Sequence, residues 1–356
     1  MNSNGGPSQT ALTAAAARAA HLIVDSEPLI FRDTLAYALL AERAEELVGF
    51  HRSHGDHLVL AQARTTVLTR GHYTEARLSE AIRTGIRQYV ILGAGLDSFA
   101  YRIHQAVRPA ETTRPAQATP PQTTPPQTAP VPQATRPTRT TQSTRSTQST
   151  RSTQSTRTER PGAAAPAGGL RVFEVDHPAT QHWKRRALAD AGIEAPPALT
   201  FVPSDLEAGS SPEHLARHGL DLVRPALVGW LGVTMYLTRD AVGRTLSTLA
   251  GLAPGSEIIV EHMLPEGLRD DRGRAYADQV MPFAAEHGEP WLTLLSPDEM
   301  SAMLRERGFE VIEHVRQRDM VPSAMWDRTD ALRAADLSVL TRARLVNRAV
   351  PTARPR

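Results

Sequence analysis

The sequence predicts an α/β fold, a doubly wound and mostly parallel sheet preceded by an N-terminal helical cap. Three observations predict it. From residue 89 onward, short apolar runs alternate with longer amphipathic helical patterns, the signature of parallel strands with helical crossovers. The stretch "YVILGAGLDSFAYR" (89–102) reads as a buried strand, a glycine turn and the start of a helix, a geometry that aims backbone N–H groups at a ligand. Residues 10–84 carry helical periodicity with no strand pattern among them.

A chain of 356 residues has room for one large domain or two smaller ones. It contains no cysteine, which excludes disulfides, thiolate metal sites and a cysteine nucleophile, and fits a reducing cytoplasm. The first 25 residues lack the basic start and unbroken apolar core of a signal peptide. No stretch approaches the roughly 18 uncharged apolar residues of a membrane span. The expectation is a soluble cytoplasmic protein without a membrane partner. The pI of about 9.2 suggests nucleic acid, but the charge is localised. Residues 106–169 hold eight arginines and two glutamates, leaving a net −4 on the rest of the chain. A basic nucleic-acid groove on the folded part is therefore not expected.

Taken in order, "TALTAAAARAAHLIVD" and "DTLAYALLAERAEELVGF" read as helices over 10–48, and 58–84 as a further helix ending at Gly85. The strand at 89–92 and its glycine turn follow. Residues 106–169 are low-complexity, with "TPPQTTPPQTAP" and then a six-residue repeat that sets Arg139, Arg145, Arg151 and Arg157 in register. Without aromatic or large aliphatic side chains such a segment cannot offset its ordering entropy, so a disordered loop is expected there. "LRVFEVD" (170–176) is the next strand, followed by a helix stopped by Gly192. "LTFVPSD", a buried run within "PALVGWLGVTMYL", and "SEIIVEHM" supply three more strands, the last two separated by the helix "RDAVGRTLSTLAGLA". Ser296 and Glu299 form a capping box that opens a helix leading into a final strand, "FEVIEHV". The domain division expected is a cap over 1–84, an α/β domain over 85–320 interrupted by 106–169, and a C-terminal tail over 321–356.

The chemistry centres on Gly93 and Gly95. By itself a G-x-G turn serves many cofactors and some plain turns. Ser98 stands where the third glycine of the dinucleotide fingerprint belongs. An acid that holds ribose hydroxyls should follow by roughly 20 residues. Asp176 lies 81 residues beyond Gly95, but the loop accounts for 64 of these, leaving 17. Asp176 thus ends the second strand where a ribose-binding carboxylate belongs, and it can also cap the helix that follows.

The blocks "RGHY…GIRQYVILGAGLDSFAYR", "VFEVDHPATQHWKRR", "FVPSDL" and "LGVTMYLT", in this order and spacing, resemble the leucine carboxyl methyltransferase-like family of S-adenosyl-L-methionine-dependent methyltransferases. The likeness is to its actinobacterial-type members of unassigned substrate, and covers about 10–315 apart from the loop. It implies a seven-stranded Rossmann-like sheet and S-adenosyl-L-methionine as cofactor. Gly93 and Gly95 would admit the methionyl and ribose parts, and Asp176 would bind the ribose diol. Asp205 and Leu206 would meet the adenine. Arg70 would pair with the methionyl carboxylate, and Arg18 would act in a similar role. The sequence departs from the pattern at Leu231, where some relatives carry a glutamate.

The reaction implied is an in-line displacement at the sulfonium methyl, which depends on alignment more than on acid–base help. A carboxylate acceptor is already ionised at neutral pH, whereas a hydroxyl gains from a base. His262 is the candidate base, and Thr234 and Tyr236 are candidates for the acceptor pocket. The region 281–291 is expected to cap it. "HRSHGDH" (51–57) reads as a polar helix connection with no metal, and "HWKRR" (182–186) as a basic helix face. The expected activity is methylation of an oxygen, carboxylate or hydroxyl, on a small molecule or peptide. The alternatives are an NAD(P)-dependent oxidoreductase, which the missing glycine and the lack of a Tyr-x-x-x-Lys pair disfavour, and a catalytically inactive cofactor-binding regulator. Deleting 106–169 should leave cofactor affinity and the unfolding midpoint nearly unchanged, because closing a flexible insertion costs little; calorimetry and thermal melts of the two proteins check this.

Overall fold

The computed structural model describes residues 8–107 and 169–346, together with the backbone alone at 104–107. The low-complexity stretch expected at 106–169, with its arginine repeat, lies outside the described residues apart from its ends. Four helices come first: α1 (Gln9–Val24), α2 (Ala36–Leu39), α3 (Ala44–His54) and α4 (Leu58–Arg83). The alternating part runs β1 (Gln88–Leu92), α5 (Phe99–Val107), β2 (Arg171–Asp176), α6 (Pro178–Asp190), β3 (Leu199–Pro203), α7 (Pro212–Arg217) and β4 (Leu227–Trp230). It continues with α8 (Arg239–Leu249), β5 (Glu257–Met263), α9 (Asp271–Glu286), α10 (Pro297–Arg305), β6 (Phe309–Arg316) and β7 (Ser338–Leu345).

The strands form one seven-stranded sheet in the order β3-β2-β1-β4-β5-β7-β6. β1 pairs in parallel with both β2 and β4, β2 with β3, and β4 with β5. β7 runs antiparallel to both its neighbours, β5 and β6. Because β1 leads to β2 on one side while β4 and β5 extend the other, the order reverses between β1 and β4, and ligands of such sheets bind beyond the strand ends there. The expected tail contains β7, which fills the place between β5 and β6. Residues 338–345 of the expected tail therefore belong to the sheet.

Both faces are covered. Tyr89 and Ile91 of β1 point into the core made with α1–α4, while Val90 and Leu92 point to the one made with α8 and α10. Near-continuous apolar strands are what burial on two faces requires. The cap is held by buried charge as well as by alanine packing. Arg64 donates to both carboxylate oxygens of Asp25, each at 2.9 Å, and to the Gly55 carbonyl. His21 accepts from the Ile30 N–H through Nε2, so its Nδ1 carries the proton that it donates to Asp25 at 2.8 Å. The capping box of α10 forms as read, with Ser296 and Glu299 bonded reciprocally.

After Leu92 the chain turns through Gly93 (φ 66°) and Gly95 (φ 50°), where a side chain is strained. A Cβ on Gly93 would lie 2.3 Å from Cγ2 of Val233. Gly93→Ala should therefore lower unfolding free energy by about 1–2 kcal/mol from the left-handed backbone and about 1–3 kcal/mol from overpacking. Adding Val233→Ala should recover the second part but not the first, as measured by denaturant melts.

Candidate active site

At the carboxyl ends of β1–β4 the sheet, α1, α4 and the segment after α9 enclose a cavity of ≈ 580 Å³, within the range of about 300–1,000 Å³ usual for small-molecule sites. The glycine turn forms its floor. The Asp176 carboxylate closes over that turn, accepting from the Gly95 N–H at 2.5 Å and from the His177 N–H at 2.6 Å. Burial raises the Asp176 carboxyl above the ordinary aspartate range, with the two N–H bonds opposing. Ser204, Asp205 and Leu206 follow β3 on the same wall. Asp205 uses Oδ1 to accept from the Glu207 N–H at 2.9 Å, the short-range turn bond typical of aspartate, and the Leu206 side chain is buried.

Across the cavity stands Arg70 of α4. Its Nη1 donates to Oε2 of Glu261 at 2.7 Å, and the Nη1–Nη2 end of its guanidinium abuts Gly232, where a Cβ would come within 2.5 Å of Nη1. Arg18 of α1 also lines the cavity. Its Nε donates to Asp33 at 2.7 Å and its Nη2 to the Leu96 carbonyl at 2.6 Å, so it pins the cap to the glycine turn. Asp33 additionally accepts from Ser98 Oγ and from the N–H groups of Leu35 and Ala36. Burial would raise the Asp33 carboxyl, but Arg18 and Arg102 hold it below its ordinary range. The roof is made where Gly288–Leu292 meets the start of α1: Glu289 accepts from Ser8 Oγ, from the Thr10 N–H and from the Thr10 hydroxyl. Tyr236 and Leu292 complete the roof.

Gly93, Gly95, Arg18, Arg70, Asp176, Asp205, Leu206 and Tyr236 thus converge on one cavity. Two expected residues do not. His262 is fully buried on the far side of β5, with Nδ1 donating to the Leu295 carbonyl at 2.8 Å and Nε2 2.9 Å from the Thr341 hydroxyl. Both ring nitrogens are spent and neither faces the cavity, so His262 is not a general base. Thr234 is buried in a 3₁₀ turn and donates to the Glu261 carbonyl at 2.6 Å, so it supports the wall without lining it. The "HRSHGDH" residues diverge: His51 turns inward to Arg64, and His57 caps α4. The helix of "HWKRR" is not uniformly exposed, because Lys184 is buried and pairs with Glu174 at 2.6 Å. Glu261, Asp33 and Glu289 escaped sequence reading. Asp33 carried a usable signal, an aspartate just before a helical run, the pattern of a cap.

The seven-stranded sheet with its antiparallel β7, and a cavity at the β1/β4 reversal, make a Rossmann-like α/β fold. The family model described as leucine carboxyl methyltransferase matches residues 11–113 and 157–250, more than half of the chain. The chain belongs to this family, and its class is the S-adenosyl-L-methionine-dependent methyltransferases. Its relatives include YktD of Bacillus subtilis (strain 168), named for S-adenosyl-L-methionine-dependent methyl transfer, 27% identical over 349 residues that cover 92% of this chain and 94% of YktD. A Mycolicibacterium smegmatis protein with the same kind of name is 30% identical over 278 residues, 74% of this chain and 66% of that protein. A crystal structure from Thermobifida fusca, described as a methyltransferase, shares the fold with a TM-score of 0.51 and 17% identity, covering 97% of each chain. No helix among the described residues is long and apolar enough to cross a membrane.

Burial lowers the His262 imidazole to about 4. With an unfolded value near 6.5, the neutral ring's contribution is complete above pH 6.5 and is lost as pH falls towards 4, at most about 3 kcal/mol. His262→Gln should flatten the fall in melting temperature between pH 6.5 and pH 4.5 while leaving ligand affinity at pH 8 within about twofold.

Proposed function

We propose that this chain methylates an oxygen of a small molecule or peptide, a carboxylate foremost. The observation that carries this reading is the convergence of Arg70, the Gly93–Gly95 turn, Asp176 and Asp205–Leu206 on one cavity at the sheet's reversal. These groups fit S-adenosyl-L-methionine from end to end. Asp176 has two carboxylate oxygens held by backbone donors at the cavity edge, and the remaining lone pairs suit a ribose diol. Asp205 offers an acceptor for the exocyclic amine of adenine, and Leu206 an apolar wall. The guanidinium edge of Arg70 not used by Glu261 suits the methionyl carboxylate. Arg18 adds positive charge on the same wall, mostly through the turn that it pins.

When bound, S-adenosyl-L-methionine supplies an activated methyl carbon. The chain's part is to hold the acceptor oxygen about 3 Å away and in line with the departing sulfur. The Glu289 contacts to Ser8 and Thr10 hold the roof segment to the start of α1 over that geometry. Among the described residues the one histidine on the cavity wall is His177, whose Nδ1 accepts from the Ala179 N–H as a cap of α6. A carboxylate acceptor, already ionised at neutral pH, needs no base, and it matches the carboxyl in the family's name. A cytoplasmic reaction is the setting that a cysteine-free chain supports.

Calorimetric titration with S-adenosyl-L-methionine, S-adenosylhomocysteine and NAD(H) tests the reading. Binding of the first two in the micromolar range and none of the third is expected. Asp176→Ala should weaken both by about tenfold or more, the loss of charge-assisted bonds. Failure to bind either sulfur ligand overturns the reading. Binding without turnover on a carboxylate and hydroxyl library would make the chain a cofactor-dependent regulator instead.

A further inference from the structure

We infer that Glu261 is a positioning residue: its buried carboxylate fixes the Arg70 guanidinium so that the remaining edge receives the carboxylate of the cofactor's amino-acid tail. This rests on the cofactor reading given above. Glu261 sits on β5 with no solvent exposure, yet it does not line the cavity; its Oε2 faces Arg70 Nη1 at 2.7 Å and its Oε1 accepts from Ser338 Oγ at 2.9 Å. Ser338 is the first residue of β7 and pairs with Met263 in register. A hydrogen-bonded chain therefore runs from β7 through Glu261 to a guanidinium that lines the cavity.

The guanidinium is restrained on two further sides. Its Nη1–Nη2 end approaches Gly232 (φ 70°), where any Cβ would lie 2.5 Å from Nη1, 2.7 Å from Nη2 and 2.9 Å from Cζ. Its stem belongs to α4, which packs against α1 within the cap. An arginine has five N–H donors in a rigid planar fork, and fixing one edge fixes the direction of the other. Separating the pair would strand an ionised carboxylate in the core, which is costly, so the guanidinium cannot swing into the acceptor space.

The test separates tail recognition from general scaffolding. S-adenosylhomocysteine and 5′-methylthioadenosine share the adenosine and the thioether, but only the first carries the amino-acid tail. Affinities of both ligands are measured by calorimetry on the full chain, its Glu261→Gln variant and its Ser338→Ala variant. Glu261→Gln replaces a charge-assisted bond by a neutral one. It is expected to weaken S-adenosylhomocysteine by about tenfold while 5′-methylthioadenosine changes by no more than about twofold. Ser338→Ala should shift the preference in the same direction by about two- to threefold, and it decides the matter if Glu261→Gln does not fold. Unchanged affinity for S-adenosylhomocysteine in the variants, or an equal loss for both ligands, overturns the inference. Failure of the unsubstituted chain to bind S-adenosylhomocysteine is a different result, which overturns the cofactor reading itself.

Discussion

The bond from the Gly95 N–H to the Asp176 carboxylate is the constraint on which the site depends. It ties the turn after β1 to the end of β2, two segments far apart in sequence that parallel pairing alone would leave free at their tips. The turn can approach the carboxylate because Gly93 and Gly95 accept positive φ. It is completed by the Gly93 N–H bonding to the Val175 carbonyl at 2.8 Å. Everything that lines the cavity is placed relative to this joint: α5 starts from it, α6 is launched by the residue after Asp176, and Val233 seals it from the β4 side. Burial holds the carboxylate above its normal ionisation range, so the joint is kept at some electrostatic cost, as is common where a group is poised for a ligand.

The helical cap is attached to this joint by charge as much as by apolar contact. Its alanine-rich α1 buries small side chains, which bring backbones close but contribute little transfer energy each. Arg18, Asp33 and the Leu96 carbonyl make up a directional contact between cap and turn, and Arg64 with Asp25, His21 and His51 makes another inside the cap. Breaking either would leave a buried charge without its partner, which costs more than losing a surface pair. Such networks set orientation, and orientation is what an in-line transfer requires of its walls.

The order of strands up to β6 was legible because each carries its own pattern and punctuation, whereas helices α7 and α9 were not read. The place of Asp176 at the end of β2, beside the glycine turn, was legible once the low-complexity stretch was taken out of the count. Two failures have definite causes. On β5 every residue is buried, so the sequence "EIIVEHM" does not reveal which parity faces α4. Successive side chains alternate, and Glu261 and His262 therefore point to opposite sides. Choosing the histidine for its chemistry selected the wrong face. β7 was missed because "SVLTRARL" mixes apolar and charged positions. Its arginines are satisfied by Glu257, which accepts from Arg342 and Arg344, a partner that only the sheet supplies. Lys184 escaped for the same reason, since Glu174 lies on a different element.

The placement of β7 bears on how the molecule is made. Strands β5 and β6 emerge from synthesis before the strand that separates them, so each must wait with an edge unpaired until Ser338–Leu345 arrives. Waiting edges are the surfaces on which nascent chains mispair. The insertion that ends this exposure also delivers the Ser338 hydroxyl to Glu261. Closure of the sheet and completion of the polar chain behind Arg70 are thus one event, and a nascent chain halted before β7 holds neither.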